Sequence, residues 1–331
     1  MRQRMMRWMG LILLALALAV PSAWAQQREK VVLMLNWYNY GEHAPLYLGL
    51  ARGIYAEEGI DLDIQEGRGS GPTIQAVAAG SVTFGYADTG TTIKAVAKGA
   101  PVKLVGVLIQ TSPMAVIGLA EKNIREPKDI IGKIVAQTPG DAVGQIFLAF
   151  LKATGIREDQ FKSVTGDAAT KRNAVIMGRA DLLTGHVNDQ SIAVEEATGK
   201  KVYSIRFADY GVNPVNNGII ARKELLTSNP TLIRKFMRAL TRSVEAAEKE
   251  PEAALDALLK ANPKAGKPEQ LREGLAQTIP LFHSKYTKGQ RPWRVAAEDM
   301  KMTLDLMVEY GGVDPATKGK PEDYYTNEYL P

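Results

Sequence analysis

The stretch that decides the fold is KVVLMLNWYNYGEHAPLYLGLARGIYAEEGIDLDIQ, residues 30–65. It opens with the apolar run Val31 to Leu35, which is typical of a strand buried on both faces. A polar and aromatic turn, Asn36 to His43, leads into a predicted helix from Ala44 to Arg52. A second short strand is predicted at Leu62 to Ile64. The stretch therefore predicts a strand–helix–strand unit.

The same alternation continues along the chain in two series. The first series ends with a predicted strand at Val102 to Ile109, and the second runs from Met114 to Ile205. A return strand is predicted at Asn217 to Ala221, and the chain is mostly helical after Pro230. Strands that alternate with helices predict βαβ units and a parallel sheet. The sequence thus predicts an α/β protein with two lobes and a ligand cleft between them.

The predicted cleft is located by turns that follow a strand and precede a helix. There are three such turns: Gly67 to Thr73, Ala87 to Thr91, and Thr138 to Asp141. Ligands of open parallel sheets bind beyond the carboxyl ends of the strands. Helix starts there offer free backbone N–H groups and a partial positive charge. We assign residues 26–113 and 216–331 to lobe 1 and residues 114–215 to lobe 2.

The N-terminal segment has the parts of a secretory signal peptide. Three arginines within the first seven residues precede the apolar run Leu11 to Val20, and the small-residue site Ala23-Trp24-Ala25 follows. The apolar run is short for a bilayer span, which needs roughly 20 residues. We therefore predict a signal peptide over residues 1–25 that is cleaved after Ala25.

Composition narrows the class of protein further. The chain has no cysteine, which excludes disulfides, thiolate metal sites, a cysteine nucleophile and a lipid anchor on cysteine. An exported protein without that anchor is expected in a Gram-negative periplasm. The formal net charge falls from +5 to +2 without the three signal-peptide arginines, and no dense basic run indicates nucleic-acid binding. The three histidines lack metal-ligand spacing, so we predict neither a metal site nor a cofactor.

Several segments carry a resemblance to a known superfamily. They are Leu35 to Leu62, Ile74 to Gly85, Lys94 to Lys103 and Asp323 to Leu330. These segments resemble periplasmic binding proteins of ABC importers for sulfonates, nitrate and thiamine-pyrimidine precursors. The resemblance implies a type II periplasmic-binding-protein fold, whose two lobes are joined by two crossovers and close on the ligand by hinge motion. It also implies an ABC permease and its ATPase as partners of a protein that we expect to be a monomer.

Within this superfamily, Asn36-Trp37 and Ala208 to Val212 look most like the binders of pyrimidine precursors. The superfamily also includes a single-turnover pyrimidine synthase that consumes its own histidine and pyridoxal phosphate. Ala87 stands where that enzyme has its Schiff-base lysine, and Thr91 stands where it has the consumed histidine. The cysteine motif of the enzyme is missing as well. We therefore expect no catalytic residue and no covalent hold on pyridoxal phosphate.

Four candidate ligand-binding residues each have a plain alternative role. Trp37 either stacks on a flat ligand or packs in the core under the hinge, and Asn36 either hydrogen-bonds a heterocycle or caps its own turn. His43 is either a pocket hydrogen-bonding group or a helix-start residue beside Glu42. Asp88 either binds an amino group or caps the helix that begins near Thr91.

The remaining candidate ligand-binding residues lie in the cleft turns and at the analogous edge of lobe 2: Arg68, Ser70, Thr89, Thr138, Asp141, Asp189 and Tyr210. Arg68 is the candidate for binding an anion, although it is equally a surface loop charge. Asp189 and the acid next to Tyr210 are equally solvated loop acids. Candidate acids outnumber candidate bases, so we predict a flat, donor-bearing heteroaromatic ligand first and an oxyanion second. A synthase-like enzyme and a sensory module remain as alternative functions.

Overall fold

The computed structural model describes residues 28–138 and 141–331. The predicted signal peptide, residues 1–25, and two residues of the third turn, Pro139 and Gly140, lie outside the described residues. Within the two described ranges, no helix is long and apolar enough to cross a membrane.

The described residues form strands in both predicted series and helices throughout. The strands are β1 (Glu29–Met34), β2 (Ile60–Gln65), β3 (Phe84–Asp88), β4 (Val102–Val107), β5 (Met114–Leu119), β6 (Ile134–Gln137), β7 (Lys162–Thr165), β8 (Leu182–His186), β9 (Val202–Arg206) and β10 (Asn217–Arg222). The α-helices are α1 (Ala44–Ala51), α2 (Ile54–Glu57), α3 (Ser70–Ala78), α4 (Thr89–Ala97), α5 (Ala142–Ala153), α6 (Ala168–Ile176), α7 (Gln190–Thr198), α8 (Lys223–Ser228), α9 (Pro230–Lys249), α10 (Pro251–Ala261), α11 (Pro268–Thr278) and α12 (Ala297–Glu309).

The strands form two separate five-stranded sheets, one for each predicted series. The first sheet has the order β2-β1-β3-β10-β4, and the second has the order β7-β6-β8-β5-β9. The prediction of an α/β fold with two lobes is confirmed by this arrangement and by the solved structures that share it. The exact lobe bounds, 26–113 with 216–331 and 114–215, stay a prediction.

The prediction of parallel sheets is wrong in one respect, because both sheets are mixed. Strand β10 pairs antiparallel with β3 and β4, and β5 pairs antiparallel with β8 and β9. The other pairs are parallel. In the first sheet β1 pairs with β2 and with β3, and in the second sheet β6 pairs with β7 and with β8. The reason is that β5 and β10 each begin where the chain crosses from the other sheet. A strand that starts at the cleft must run opposite to strands that end there.

Two elements carry no clear sequence signal. Strand β7 is exposed at all four residues, so it lacks the apolar alternation that marks a half-buried strand. Helix α7 follows the strand β8 within a few residues and is only partly buried. Both were missed in the sequence prediction.

Apolar packing holds each sheet under its helices. In the first lobe, the fully buried rings of Phe84 and Phe236 stack with centroids 4.3 Å apart, which joins β3 to α9. In the second lobe, Phe150 and Phe207 stack at 4.7 Å, which joins α5 to the segment after β9. Such rigid packing fixes the strand ends from which the cleft residues project.

The C-terminal segment covers the outer edge of the first sheet. The backbone N–H of Leu104 in β4 donates to the carbonyl of Tyr324 at 2.9 Å, and the N–H of Thr326 donates back to the carbonyl of Leu104 at 2.9 Å. Strand β4 therefore has hydrogen-bonding partners on both sides, with β10 on one and the chain end on the other.

Candidate ligand-binding cleft

A cavity of about 520 Å³ lies between the two sheets, where the parallel strands end. The first-lobe side contributes Asn36, Trp37, Tyr38, Tyr40, Gly69, Ser70, Gly71, Asp88, Thr91, Asn216 and Asn217. The second-lobe side contributes Met114, Asp141, Ala142, Val143, Ala169, Lys171, Arg172, His186, Asp189 and Gln190. The volume is within the range of pockets for small organic ligands and cofactors.

A glycine-rich loop holds the first cleft turn in place. The N–H of Gly69 donates to the carbonyl of Asn36 at 2.7 Å, and the N–H of Gly67 donates to the carbonyl of Trp37 at 3.1 Å. A Cβ on Gly67 would lie 1.9 Å from the carbonyl oxygen of Leu35, so no other residue fits there. Gly69 has φ +119, which also favours glycine. The loop thereby fixes the backbone that carries Asn36 and Trp37 into the cavity.

One wall of the cavity is aromatic. Trp37 and Tyr38 are 39% and 44% exposed, with ring centroids 5.6 Å apart, and the ring of Tyr40 lies 6.2 Å from that of Tyr38. Large aromatic side chains left open beside a cavity offer faces for stacking on a flat ligand. Sequence reasoning singled out Trp37 alone, although the run Trp37-Tyr38-Asn39-Tyr40 is the signal that would have found the other two.

Behind this wall, His43 is fully buried and does not line the cavity. Burial lowers the pKa of His43 to about 3, so its ring is neutral at physiological pH. Its Nε2–H therefore donates to Oδ1 of Asn36, 3.1 Å away. Asn36, which is 9% exposed, does line the cavity. His43 thus positions Asn36 rather than contacting the cavity itself.

The buried histidines predict a loss of stability in mild acid. Burial lowers the pKa values of His43 and His186 to about 3 and about 4, whereas an unfolded histidine titrates near 6.5. Below about pH 6.5 only the unfolded chain takes up these protons, so stability falls as the pH falls, by about 2 kcal/mol per histidine at pH 5. Urea unfolding at pH 7 and pH 5 measures this difference.

The histidine contribution is isolated with the variant His43→Gln. Burial raises the pKa values of Glu42, Asp88 and Asp189, so these carboxyl groups oppose the histidines as the pH falls. The variant retains these three groups and should lose about 2 kcal/mol of the pH dependence. An unchanged pH dependence in His43→Gln would mean that the folded protein also protonates His43.

Asp88 caps helix α4 and also lines the cavity, while its predicted binding of an amino group stays a prediction. Its Oδ1 accepts hydrogen bonds of 2.7 Å from the backbone N–H and the hydroxyl of Thr91, which caps helix α4. Its Oδ2 accepts from Nδ2 of Asn216 at 3.2 Å, and the side chain lines the cavity. Burial raises the pKa of Asp88, while the bonds from Thr91 act in the opposite direction. Within the described residues, Asp88 has no ion-pair partner.

The second-lobe side of the cavity carries acids and cations together. Lys171 is buried and donates to Oδ2 of Asp141 at 3.1 Å, while Oδ1 of Asp141 caps helix α5 through the N–H of Gly144. Burial raises the pKa of Asp189, against the attraction of Arg172 and Lys171. Lys171 and Arg172 were missed because nothing in the helical segment around them distinguishes a cleft cation from a surface cation. The acids on this side thus lie close to cations, whereas Asp88 forms no ion pair within the described residues and is only attracted by Lys94 from a greater distance.

Several predicted residues lie outside the cavity lining. Arg68 is exposed in its turn, and Thr89 is fully buried and donates to the carbonyl of Asn216. Thr138 is half-buried and does not line the cavity, and Tyr210 packs edge-on against Phe150 at 5.7 Å. The predicted residues that the structure brings together are Asn36, Trp37, Ser70, Asp88, Asp141 and Asp189.

A buried carboxylate accepts hydrogen bonds from residues of both lobes. Glu42 is 2% exposed, and its Oε1 accepts from the hydroxyl of Tyr86 at 2.8 Å and from Nδ2 of Asn217 at 2.6 Å. Its Oε2 accepts from Nδ2 of Asn188 at 3.0 Å, which also donates to Oγ1 of Thr278 at 2.9 Å. Asn188 follows β8 in the second sheet, so this hydrogen-bond network crosses between the lobes. The sequence treated Glu42 only as a helix-start neighbour of His43.

A comparison with protein families identifies the chain. The family model described as NMT1/THI5 like matches residues 40–254. The chain belongs to the NMT1/THI5-like family. This confirms the resemblance found in the sequence.

Named relatives of this NMT1/THI5-like protein fall into two classes. A 4-amino-5-hydroxymethyl-2-methylpyrimidine phosphate synthase of Legionella pneumophila is 27% identical over 93% of this chain and 95% of the relative. The formylaminopyrimidine-binding protein of Halalkalibacterium halodurans is 28% identical over 70% of each chain. The riboflavin-binding protein of Chloroflexus aurantiacus is 27% identical over 95% of this chain and 90% of the relative. Relatives of this chain thus include both an enzyme and binding proteins.

Solved structures share the fold of this NMT1/THI5-like protein. The alkanesulfonate-binding protein of Xanthomonas axonopodis pv. citri, bound to MOPS, superposes with a TM-score of 0.64 at 15% identity, covering 90% of this chain and 98% of that one. The periplasmic nitrate-binding protein of Synechocystis gives a TM-score of 0.67 at 14% identity, covering 92% and 87%. The predicted periplasmic-binding-protein fold is confirmed.

Proposed function

We propose that this protein is the periplasmic solute-binding component of an ABC importer and that it captures a flat, donor-bearing heteroaromatic compound, such as a pyrimidine. The observation that carries the proposal is one cavity with an aromatic wall and an acid, Asp88, that forms no ion pair within residues 28–138 and 141–331. The names of two relatives, a formylaminopyrimidine-binding and a riboflavin-binding protein, support the same ligand class.

The aromatic wall favours a flat ligand. The faces of Trp37 and Tyr38 are open beside the cavity, and Tyr40 continues the wall. A stacked ring gains about 0.5–1.5 kcal/mol beyond the area that it buries. A heteroaromatic ring uses this wall, whereas a small oxyanion such as nitrate does not.

The polar groups at the cavity edge favour a ligand with N–H donors. Oδ2 of Asp88 can accept further hydrogen bonds, because a carboxylate oxygen has more than one acceptor position. Oδ1 of Asn216 is buried and has no hydrogen-bond partner within the described residues. Two neighbouring acceptors on residues that line the cavity match an amino group on a heterocycle.

The cations of the cavity give less support to an oxyanion ligand. Lys171 already forms an ion pair with Asp141, and Arg172 is attracted electrostatically by Asp189. An anion would have to compete with these carboxylates for each cation. Arg68, the cation that the sequence offered for this role, does not line the cavity.

A binding role, rather than catalysis, also fits the residues at the positions that differ from the synthase. Ala87 is fully buried in β3 and supplies no amine, and Thr91 is engaged with Asp88. The lysine that lines the main cavity, Lys171, has its amine in an ion pair. We therefore propose no cofactor and no turnover for this chain.

The proposed setting follows from the fold. Solved structures that share it include periplasmic binding proteins. We propose an exported monomer whose partners are an ABC permease and its ATPase. A sensory role, in which the loaded protein contacts a membrane receptor instead, would appear as a different partner in a pull-down.

A thermal-shift screen of the mature protein tests the ligand class. One panel holds aminopyrimidines and flavin fragments, and the other holds sulfonates, nitrate, bicarbonate and carboxylates. A ligand at about 100 times its dissociation constant adds about 2.7 kcal/mol of stability. We expect shifts from the first panel, while shifts confined to the second panel would contradict the heteroaromatic proposal.

Stacking is tested with the variant Trp37→Ala. Loss of the ring should weaken binding of the heteroaromatic ligand found in the screen by at least about 1 kcal/mol, which is roughly a fivefold increase in Kd. The fold should remain intact. Isothermal titration calorimetry measures the change. The matched control is Tyr286→Ala, since Tyr286 is 41% exposed and lies outside the cavity lining. Equal affinities of Trp37→Ala and the parent protein would remove Trp37 from the binding site.

A further inference from the structure

A second, smaller cavity adjoins the main one. This side chamber has a volume of about 160 Å³ and shares Asp88, Thr91, Met114 and Ala142 with the main cavity. It lies between helix α4 of the first lobe, helix α5 of the second lobe and the crossover that ends at Val215. A ligand group that passes Asp88 and Thr91 would therefore enter the side chamber.

The side chamber is mostly apolar. Met114, Ile146, Val215 and Met307 line it, and each of them is buried, with between 1% and 4% exposure. The volume is close to that of an apolar cavity that accepts a group of the size of benzene. Four polar or charged side chains also line the chamber: Asp88, Thr91, Lys94 and Gln145. The two methionines are flexible, so their thioethers can adjust to the shape of an inserted group.

One cation stands at the polar end of the side chamber. Nζ of Lys94 on α4 donates to Oε1 of Gln145 on α5 at 3.3 Å, so this bond joins the two lobes next to the side chamber. The contact helps to close the chamber in the present arrangement of the lobes. The apolar walls and the bridging bond together define a subsite that opens into the main cavity.

We propose that the natural ligand carries an apolar substituent, about as large as a phenyl ring, that occupies the side chamber while its heteroaromatic head occupies the main cavity. The inference rests on the proposed function and adds a second element to the ligand class. A small head alone would leave the side chamber empty and forgo the free energy of burying apolar surface against Met114, Ile146 and Met307.

The test compares two probes, 4-amino-2-methylpyrimidine and its 5-benzyl derivative, by isothermal titration calorimetry. In the parent protein we expect the benzyl derivative to bind about tenfold more tightly or better. The variant Ile146→Phe adds volume to the chamber wall and should reduce this ratio of affinities at least fivefold. Gly90→Ala is a milder variant, because the new Cβ would lie 2.9 Å from Sδ of Met307 and displace it.

An enlarging variant tests the opposite direction. Met307→Ala should shift the preference from the benzyl derivative toward the larger 5-naphthylmethyl derivative. The matched control is Met302→Ala, which makes the same change on helix α12 at a residue that lines neither cavity and should leave the affinity ratio unchanged.

The outcomes separate the two proposals. If the pyrimidine head binds but the benzyl derivative binds no more tightly, the side chamber proposal is overturned and the proposed function stands. If the affinity ratio is high in the parent protein and stays as high in both Ile146→Phe and Gly90→Ala, the benzyl group binds elsewhere. That result also overturns the side chamber proposal. If neither pyrimidine binds, the proposed ligand head fails, and toluene then tests the chamber. A toluene-induced thermal shift that Ile146→Phe abolishes supports the chamber, and no shift overturns it.

Discussion

Replacement of Glu42 by alanine is expected to lower the free energy of unfolding by about 3–5 kcal/mol. The change removes one buried carboxylate and leaves the donors of Tyr86, Asn188 and Asn217 without their acceptor. Each unsatisfied buried donor costs about 1–3 kcal/mol, and these costs are not fully additive. Urea unfolding at pH 7 measures the change.

A surface carboxylate provides the comparison for Glu42. Glu250 pairs with Arg52 at 2.5 Å, but the two side chains are 53% and 37% exposed. The variant Glu250→Ala should therefore cost about 1 kcal/mol or less. If Glu42→Ala cost no more than Glu250→Ala, the network between the lobes would not contribute to stability. Loss of ligand affinity in Glu42→Ala beyond the loss of stability would show that Asn217 needs Glu42 for its position.

Replacement of Asp88 by asparagine is expected to weaken binding of an aminopyrimidine by about 10- to 100-fold. Hydrogen bonds to a charged acceptor contribute about 1.5–3 kcal/mol, and the neutral amide replaces one acceptor oxygen with a donor. The stability of helix α4 should change little, because asparagine is as good a capping residue as aspartate. Calorimetric titration gives the affinity, and thermal unfolding without ligand gives the stability.

The matched control for Asp88 is Asp167→Asn. Asp167 caps helix α6 in the same way, by accepting from the N–H of Thr170 at 2.7 Å, but it is exposed and does not line the cavity. It should leave the affinity unchanged. If Asp88→Asn also bound the aminopyrimidine normally, Asp88 would be a capping residue only, and the donor-bearing ligand would lose its main acceptor.

The residues that the sequence placed in the cleft share one property. Asn36, Trp37, Ser70, Asp88 and Asp141 all follow a predicted strand or begin a predicted helix, so local patterns locate them at the cleft edge. The carboxyl-end rule for parallel strands was sufficient for these residues.

The residues that the sequence missed depend on tertiary structure. Asn216 and Asn217 reach the cavity only because the chain returns from the second lobe and starts β10 at the cleft. Lys171 and Arg172 sit on a helix whose position relative to the first lobe is set by packing. His43 is the opposite case, because the sequence placed it in the cavity but the fold directs its ring toward Asn36 instead. Local sequence patterns contain none of this information.

The same reasoning explains the error in strand direction. Strand β10 has the composition of a buried strand, but its direction is set by the crossover from which it starts. Composition and periodicity predict that a strand exists and how it is buried. They do not encode which end of it faces the cleft.

The position of β10 in the first sheet also determines the order in which the two sheets can form while the chain is being synthesised. The second sheet is built from one continuous piece of chain, residues 114–206, so all its strands are present as soon as that piece has been synthesised. Strand β4 instead has no neighbour until residues 217–222 insert between it and β3, and its outer edge stays open until residues 324–326 arrive. A ribosome that releases the chain early would therefore produce a finished second lobe beside a first lobe with an unpaired strand. Both sheets are closed only after residues 324–326 have been added.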